Sequence, residues 1–178
     1  MKNLRHINNS FNDDKVIDAC SIFGAMDTSG KRFSGTGVIK AIANMHDRGN
    51  GLGGGFAVYG LYPEYKDLYA FHVMYLSAEG RNETESYLKE CFDIVHREDV
   101  PSRKTAKISN PPVIIRYFLD IESHQPDASL QDDYVLNAIM HINTTRKDSF
   151  VFSGGKNMAV FKGVGYPEEI AEFFCLEQ

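Results

Sequence analysis

An α/β fold with a mostly antiparallel sheet is the architecture this sequence predicts. Three observations carry the expectation. Short apolar segments at residues 56–60, 68–76, 113–119 and 150–161 are rich in β-branched and aromatic side chains, as strands are. Between them, apolar residues recur at three- and four-residue spacing, the mark of amphipathic helices. Residues 150–161 also read as a hairpin, two strands about Ser153-Gly154-Gly155-Lys156, and a hairpin pairs its strands antiparallel.

Taken in order, residues 1–19 form a polar leader with scattered apolar positions. Residues 19–26 are apolar and end at Asp27-Thr28-Ser29-Gly30, which predicts a strand running into a turn. Val38, Ile39, Ile42 and Met45 predict a helix with Ser34 as N-cap, ending near Asp47 ahead of Arg48-Gly49-Asn50-Gly51. Residues 56–60 and 68–76 follow as strands. The second is apolar on both faces, as a strand covered on both sides would be. Asn82 and Glu85 resemble a capping box before a helix carrying Tyr87, Leu88, Cys91, Phe92 and Val95. A basic, proline-punctuated loop leads through Arg103 and Lys107 to a strand at 113–119. Ser129 and Asp132 open a further helix with Val135, Leu136, Ile139 and Met140. After the hairpin, Pro167, Glu168 and Glu169 suit the first turn of a last helix. Its apolar face at Ile170, Phe173, Phe174 and Leu176 is expected to receive further protein.

Composition narrows the function classes. The 178 residues suffice for a hydrophobic core, and 43% of them are apolar. A net charge of −5 without a Lys/Arg stripe argues against nucleic acid as partner. No apolar run reaches membrane-spanning length, and residues 1–19 lack the apolar stretch of a secretory signal. The three cysteines are odd in number and widely spaced, which suggests neither a disulfide framework nor zinc. A reducing cytoplasm is the expected compartment, and no cofactor is implied.

Cys20 is the candidate catalytic residue. A cysteine in an apolar strand is commonly structural. Cys20, however, opens its segment directly after a polar leader. Cutting the Ala19–Cys20 bond would put a thiol and a free α-amine on one residue. An α-amine titrates near 8 and serves as a base at neutral pH. Arg48 either lines a substrate pocket or satisfies helix C-terminal carbonyls. Gly49 and Gly51 either allow close approach of backbone to substrate or supply positive φ in a turn. The glycine-rich residues 49–55 lack the Gly-Lys-Ser/Thr ending of a phosphate cradle and precede a strand, not a helix. His72 and His141 read as structural, and Cys91 and Cys175 as packing residues on helical faces.

The run Cys20-Ser21-Ile22-Phe23-Gly24 resembles the Cys-Gly-Ile-Phe-Gly opening of class II glutamine amidotransferases, which are N-terminal-nucleophile hydrolases. Met45-His46-Asp47-Arg48-Gly49, with the glycines and Phe56-Ala57 after it, is similar to that family's His-Arg-Gly segment and following strand. The wording of residues 48–55 is most similar to the separate glutaminase subunit of archaeal-type glutamate synthase. The resemblance covers residues 19 to about 76. It implies a stacked α-β-β-α sandwich, release of residues 1–19, and attack of the Cys20 thiolate on the side-chain amide of glutamine. Ammonia would then pass to a synthase subunit. Arg48 and Gly49 would shape the glutamine pocket.

Ser21 stands where the family has Gly. Neither the His-Asn-Gly oxyanion motif nor the family's carboxylate-binding Arg motif occurs in this sequence; Arg116-Tyr117-Phe118-Leu119 and His141-Ile142-Asn143 are the nearest approaches. The expected organisation is a leader at 1–19, the N-terminal part of an amidotransferase domain at 20–77, and an α/β insertion at 78–178 continuing past Gln178. The alternatives are a non-catalytic ligand- or partner-binding module, with residues 68–163 as a ferredoxin-like unit, and an amidohydrolase for another amide.

Overall fold

A computed structural model describes residues 20–49, 51–106 and 108–177. Helix α1 (Thr36–Ala43) precedes strands β1 (Gly54–Tyr59) and β2 (Tyr69–Tyr75). Next come α2 (Ala78–Cys91), β3 (Asp93–Asp99), β4 (Val113–Asp120) and α3 (Gln131–Thr145). The chain closes with β5 (Ser149–Lys156), β6 (Met158–Gly163) and α4 (Pro167–Phe173). All strand pairings among the described residues are antiparallel. The α/β class and the antiparallel sheet are thus as expected. Among the described residues no helix is long and apolar enough to cross a membrane.

Two sheets form. The larger has the order β3-β4-β2-β5 and the smaller is the ribbon β1-β6. Residues 69–156 therefore run β-α-β-β-α-β, the ferredoxin-like connectivity that the binding-module alternative gave to 68–163, except that residues 158–163 pair in the other sheet. A boundary at residue 77 falls inside this unit, between β2 and α2, because β2 pairs with both β4 and β5. The sheet does not divide into 20–77 and 78–178 parts.

Strand β2 is covered on both faces because its side chains alternate between two cores. Tyr69, Phe71, Val73 and Tyr75 join Leu88 of α2, and Val135, Ala138 and Ile142 of α3, in the first core. Ala70 joins Ile114 and Phe118 of β4 in the second core, with Ala159, Phe161, Ile170, Phe173 and Phe174. Each large apolar side chain so buried contributes about 1.5–3 kcal/mol. The layers are thus helices, four-stranded sheet, then the ribbon with α4. The terminal aromatics expected to await further protein pack instead into this chain's own second core.

Several sequence expectations need correction. Residues 20–26 form no strand, and Ile22 and Met26 lie exposed. An apolar run becomes a strand only where a partner edge receives its backbone hydrogen bonds, and no edge among the described residues does so here. Ala19 and the leader lie outside the described residues. Helix α1 is shorter than expected, with Gly35 at its N-cap position, and a separate 3-10 turn follows at His46–Arg48. Helix α2 starts earlier than the Asn82–Glu85 pair implied. Ser77 caps it, its Oγ accepting from the Gly80 N–H at 3.0 Å, while Glu85 bonds Arg81, Arg97 and Tyr117. Val95, assigned to that helix, sits on β3. This strand was hidden by its charge, Asp93, Arg97, Glu98 and Asp99, which suits an edge strand that must repel other edges.

The hairpin at 150–161 is a corner instead. Asn157, in the left-handed region at φ 52, turns the chain from β5 in one sheet to β6 in the other. Its backbone oxygen accepts from Gly60 N–H and its Oδ1 from Tyr62 N–H, each at 2.8 Å. Cys175 lies past the end of α4 at φ 53, not on a helical face. Cys91 packs beside the first core as expected.

Candidate active site

The ribbon has two unlike faces. Phe56, Val58, Ala159 and Phe161 point into the second core. Their neighbours Ala57 and Val160, paired across the ladder, point the other way. There they floor a cleft of about 450 Å³ walled by α1, the 3-10 turn, the start of α4 and the segment carrying Cys20. Both Cys20 and Gly49 line this cleft. They stand 29 positions apart in sequence, and the fold brings both to this one cleft. Arg48 is exposed at the end of the 3-10 turn and is not part of the lining.

The glycine-rich approach to β1 is shaped by Tyr166. Gly51 has φ 70, and a Cβ there would come within 3.1 Å of the Tyr166 ring. Glycine is therefore needed twice over at this position, for the backbone and for the ring. Gly49 has an ordinary extended backbone, φ −98 and ψ 154, so the positive-φ turn expected of both glycines holds for Gly51 alone.

His46 is the cleft residue that sequence reasoning passed over. Its ring lines the cleft beside Gly49 and stacks on Tyr166, with centroids 3.9 Å apart and planes 24° from parallel. Its Nδ1 lies 2.9 Å from Glu168 Oε1. Glu168 belongs to the first turn of α4, where the Tyr166 N–H also donates to Glu169 Oε2 at 2.9 Å. The other carboxylate oxygen of Glu168, Oε2, is shielded from solvent and has no hydrogen-bond partner among the described residues. The His46–Glu168 pair spans 122 positions, so no local spacing could have announced it. Each residue read instead as part of a motif or of a helix start.

A second polar cluster sits beneath the ribbon. His72 of β2 is fully buried, with Phe152 and Phe161 beside it. Its Nε2 is 2.8 Å from the Tyr62 hydroxyl. Arg116 Nη1 donates to that hydroxyl at 2.9 Å, and Arg116 Nε donates to Glu98 Oε1 at 3.0 Å. Because the hydroxyl oxygen accepts from Arg116, its proton goes to His72 Nε2, which leaves the ring proton on Nδ1 without a partner among the described residues. Burial first, and the Arg116 charge second, push the His72 pKa down to about 3. His72 is thus structural as expected, yet only half satisfied. The guanidinium of Arg116 is held in this cluster, away from the Cys20 cleft. His141 is exposed and stacks on Tyr87.

A larger, mostly apolar cavity of about 690 Å³ lies on the ribbon's inner side, among Ile108, Phe150, Phe152 and Phe173. Gly53 and Gly54 line both cavities, so the start of β1 is the wall between them. Among the described residues no group of His, Cys, Asp and Glu has the arrangement of a metal site.

No protein-family model matches the sequence. A protein of Archaeoglobus fulgidus, described as uncharacterized, is 48% identical over 168 residues. The match takes in 93% of this chain and 44% of that protein. The chain therefore spans less than half the length of this relative.

Chemically, the cleft offers an exposed thiol at Cys20, an imidazole oriented by a carboxylate, and backbone approached closely through Gly51. That set is chemically able to support nucleophilic attack on an acyl carbon.

Proposed function

We propose that this chain carries the nucleophile of a class II glutamine amidotransferase, with Cys20 attacking the side-chain amide of glutamine. The observation that supports it most is the meeting of Cys20 with Gly49 and the glycine-rich approach to β1 in one cleft. These are the segments whose wording resembles that family. A layer order of helices, sheet and second sheet, with a cleft beyond, agrees with a stacked sandwich.

In this reading the thiolate adds to the amide carbon, the C–N bond breaks, and ammonia leaves. Water then releases glutamate from the thioester. The ammonia goes to a synthase subunit, in keeping with the archaeal glutamate synthase resemblance. Release of residues 1–19 would give Cys20 a free α-amine to serve as base. Arg48, exposed at the rim, would meet the substrate's carboxylate only from outside the cleft. Cys20→Ser should lower ammonia release from glutamine by about two orders of magnitude or more, since a hydroxyl is a far weaker nucleophile than a thiol. The swap is nearly isosteric and should leave the circular dichroism spectrum unchanged. Undiminished glutamine turnover by the serine protein would make Cys20 a structural residue.

A second reading has its own support. The β-α-β-β-α-β unit and the 690 Å³ apolar cavity suit a non-catalytic module that binds an apolar ligand. Absence of any Cys20-dependent turnover, together with saturable binding of a fatty acid probe quenched by Phe152→Trp, would favour it.

A further inference from the structure

We propose that the outer edge of β1 is a strand-addition site. Its occupant is an extended segment from the polypeptide that the longer relative carries outside its match to this chain. The inference goes beyond the glutamine reading and does not depend on it.

The ladder fixes which backbone groups lie at that edge. The Gly60 N–H donates to the Asn157 oxygen, at the end of β1 that meets β6. The Val160 N–H points away from β1 and donates to Ser153 Oγ at 2.9 Å. In an antiparallel pair, residues directly opposite one another face each other or face away together, in alternation along the strand. Val160 lies opposite Ala57. The N–H and C=O groups of Gly55, Ala57 and Tyr59 therefore point away from β6. Among the described residues no strand pairs with them, since β6 is the neighbour of β1 in a two-stranded sheet.

The other edges are defended, and this one is not. Strand β3 carries Asp93, Arg97, Glu98 and Asp99. On β5, Asn143 Nδ2 donates to the Val151 oxygen at 2.9 Å, and Asn143 Oδ1 accepts from the Val151 N–H at 2.7 Å. On β6, Ser153 takes the outward N–H of Val160. Strand β1 reads Gly-Gly-Phe-Ala-Val-Tyr, without charge or proline, and Tyr59 is 77% exposed. An uncharged edge of this kind is a template for another strand. A sheet of two strands is also marginal by itself.

Length decides the occupant. The matched residues make up 44% of the Archaeoglobus fulgidus protein, so more than half of that polypeptide lies outside the match. A strand laid on β1 places alternate side chains on opposite faces of the ribbon. Those level with Phe56 and Val58, which are only partly buried on the second core, extend that core and must be apolar. Those level with Gly55 and Ala57, which line the Cys20 cleft, give the cleft a further wall.

The test compares amide hydrogen exchange, resolved by NMR, in this chain and in the full-length Archaeoglobus fulgidus protein. In this chain the ladder should protect Phe56 and Val58, while Ala57 and Tyr59 exchange within about ten-fold of an unstructured peptide. In the longer protein the amides aligned with Ala57 and Tyr59 should exchange about 100-fold or more slowly than in this chain. Contacts between Hα protons across the ladder then name the partner strand, which should lie outside the match. Fast exchange at both aligned positions overturns the proposal, as does a partner strand inside the matched region. Protection of Ala57 and Tyr59 that appears in this chain and grows with its concentration gives the edge to a second copy, and overturns it too.

Discussion

In the β-α-β-β-α-β unit Phe71, Val73 and Tyr117 are completely buried, whereas in the segment that carries Cys20 Ile22 is 89% exposed and Met26 82%. The first region is held by two cores and continuous ladders. The second is held by a cleft wall and a few turn contacts, such as the Ser29 N–H donating to Asp27 Oδ1 at 2.8 Å. On the proposed function, the contrast means that stability and chemistry are divided between different parts of the chain. Substitutions should then separate into those that unfold the protein and those that leave the fold intact but remove the proposed activity.

The largest expected effect lies in the first core. Leu88→Ala leaves a cavity between α2 and the sheet and should cost about 2–5 kcal/mol in a denaturant titration. A cost below about 1 kcal/mol would mean that this face repacks freely.

A smaller effect tests the polar cluster under the ribbon. The folded-state pKa of His72 is lowered from 6.5 to about 3, so the unfolded chain takes up the proton first. The stability due to keeping this ring neutral is fully present above pH 6.5 and is lost as pH falls from there towards 3. Between pH 6.5 and 5.5 the loss should be about 1 kcal/mol. It is read as the difference in pH dependence between the wild type and His72→Gln, which retains a partner for the Tyr62 hydroxyl. Parallel curves for the two proteins would show that His72 titrates normally in the fold.

The smallest effect sharpens the comparison from the other side. Ile22→Ala should change global stability by no more than about 0.5 kcal/mol, because the side chain is already in water. If it also slows Cys20 alkylation, the segment matters for the cleft while contributing little to the fold.

What was legible in the sequence follows the same division. The strands with one or two buried faces announced themselves, since Phe71 and Val73 on one side and Ala70 and Met74 on the other can only belong to a covered strand. The helix faces of Val135 and Leu88 were equally plain. Strand β3 was not, because an edge strand is made of charges and looks like a helix end or a loop. The corner at Asn157 read as a hairpin because a turn residue between two apolar runs does not say which sheet receives the second run. In the site, Cys20 and Gly49 could be singled out by their surroundings in sequence. His46 and Glu168 could not, since only tertiary structure brings a 3-10 turn against the first turn of the last helix.

The ribbon that floors the cleft joins Gly54 to Gly163, residues 109 positions apart (163 − 54). Closing so long a loop in a disordered chain carries an entropy cost with little local contact to offset it. The unit at residues 69–156 shortens that loop, because it brings Lys156 of β5 opposite Tyr69 of β2. With those residues fixed, only the short stretches on either side remain to be zipped together. The ribbon that floors the cleft is thus expected to zip together after the four-stranded unit has formed.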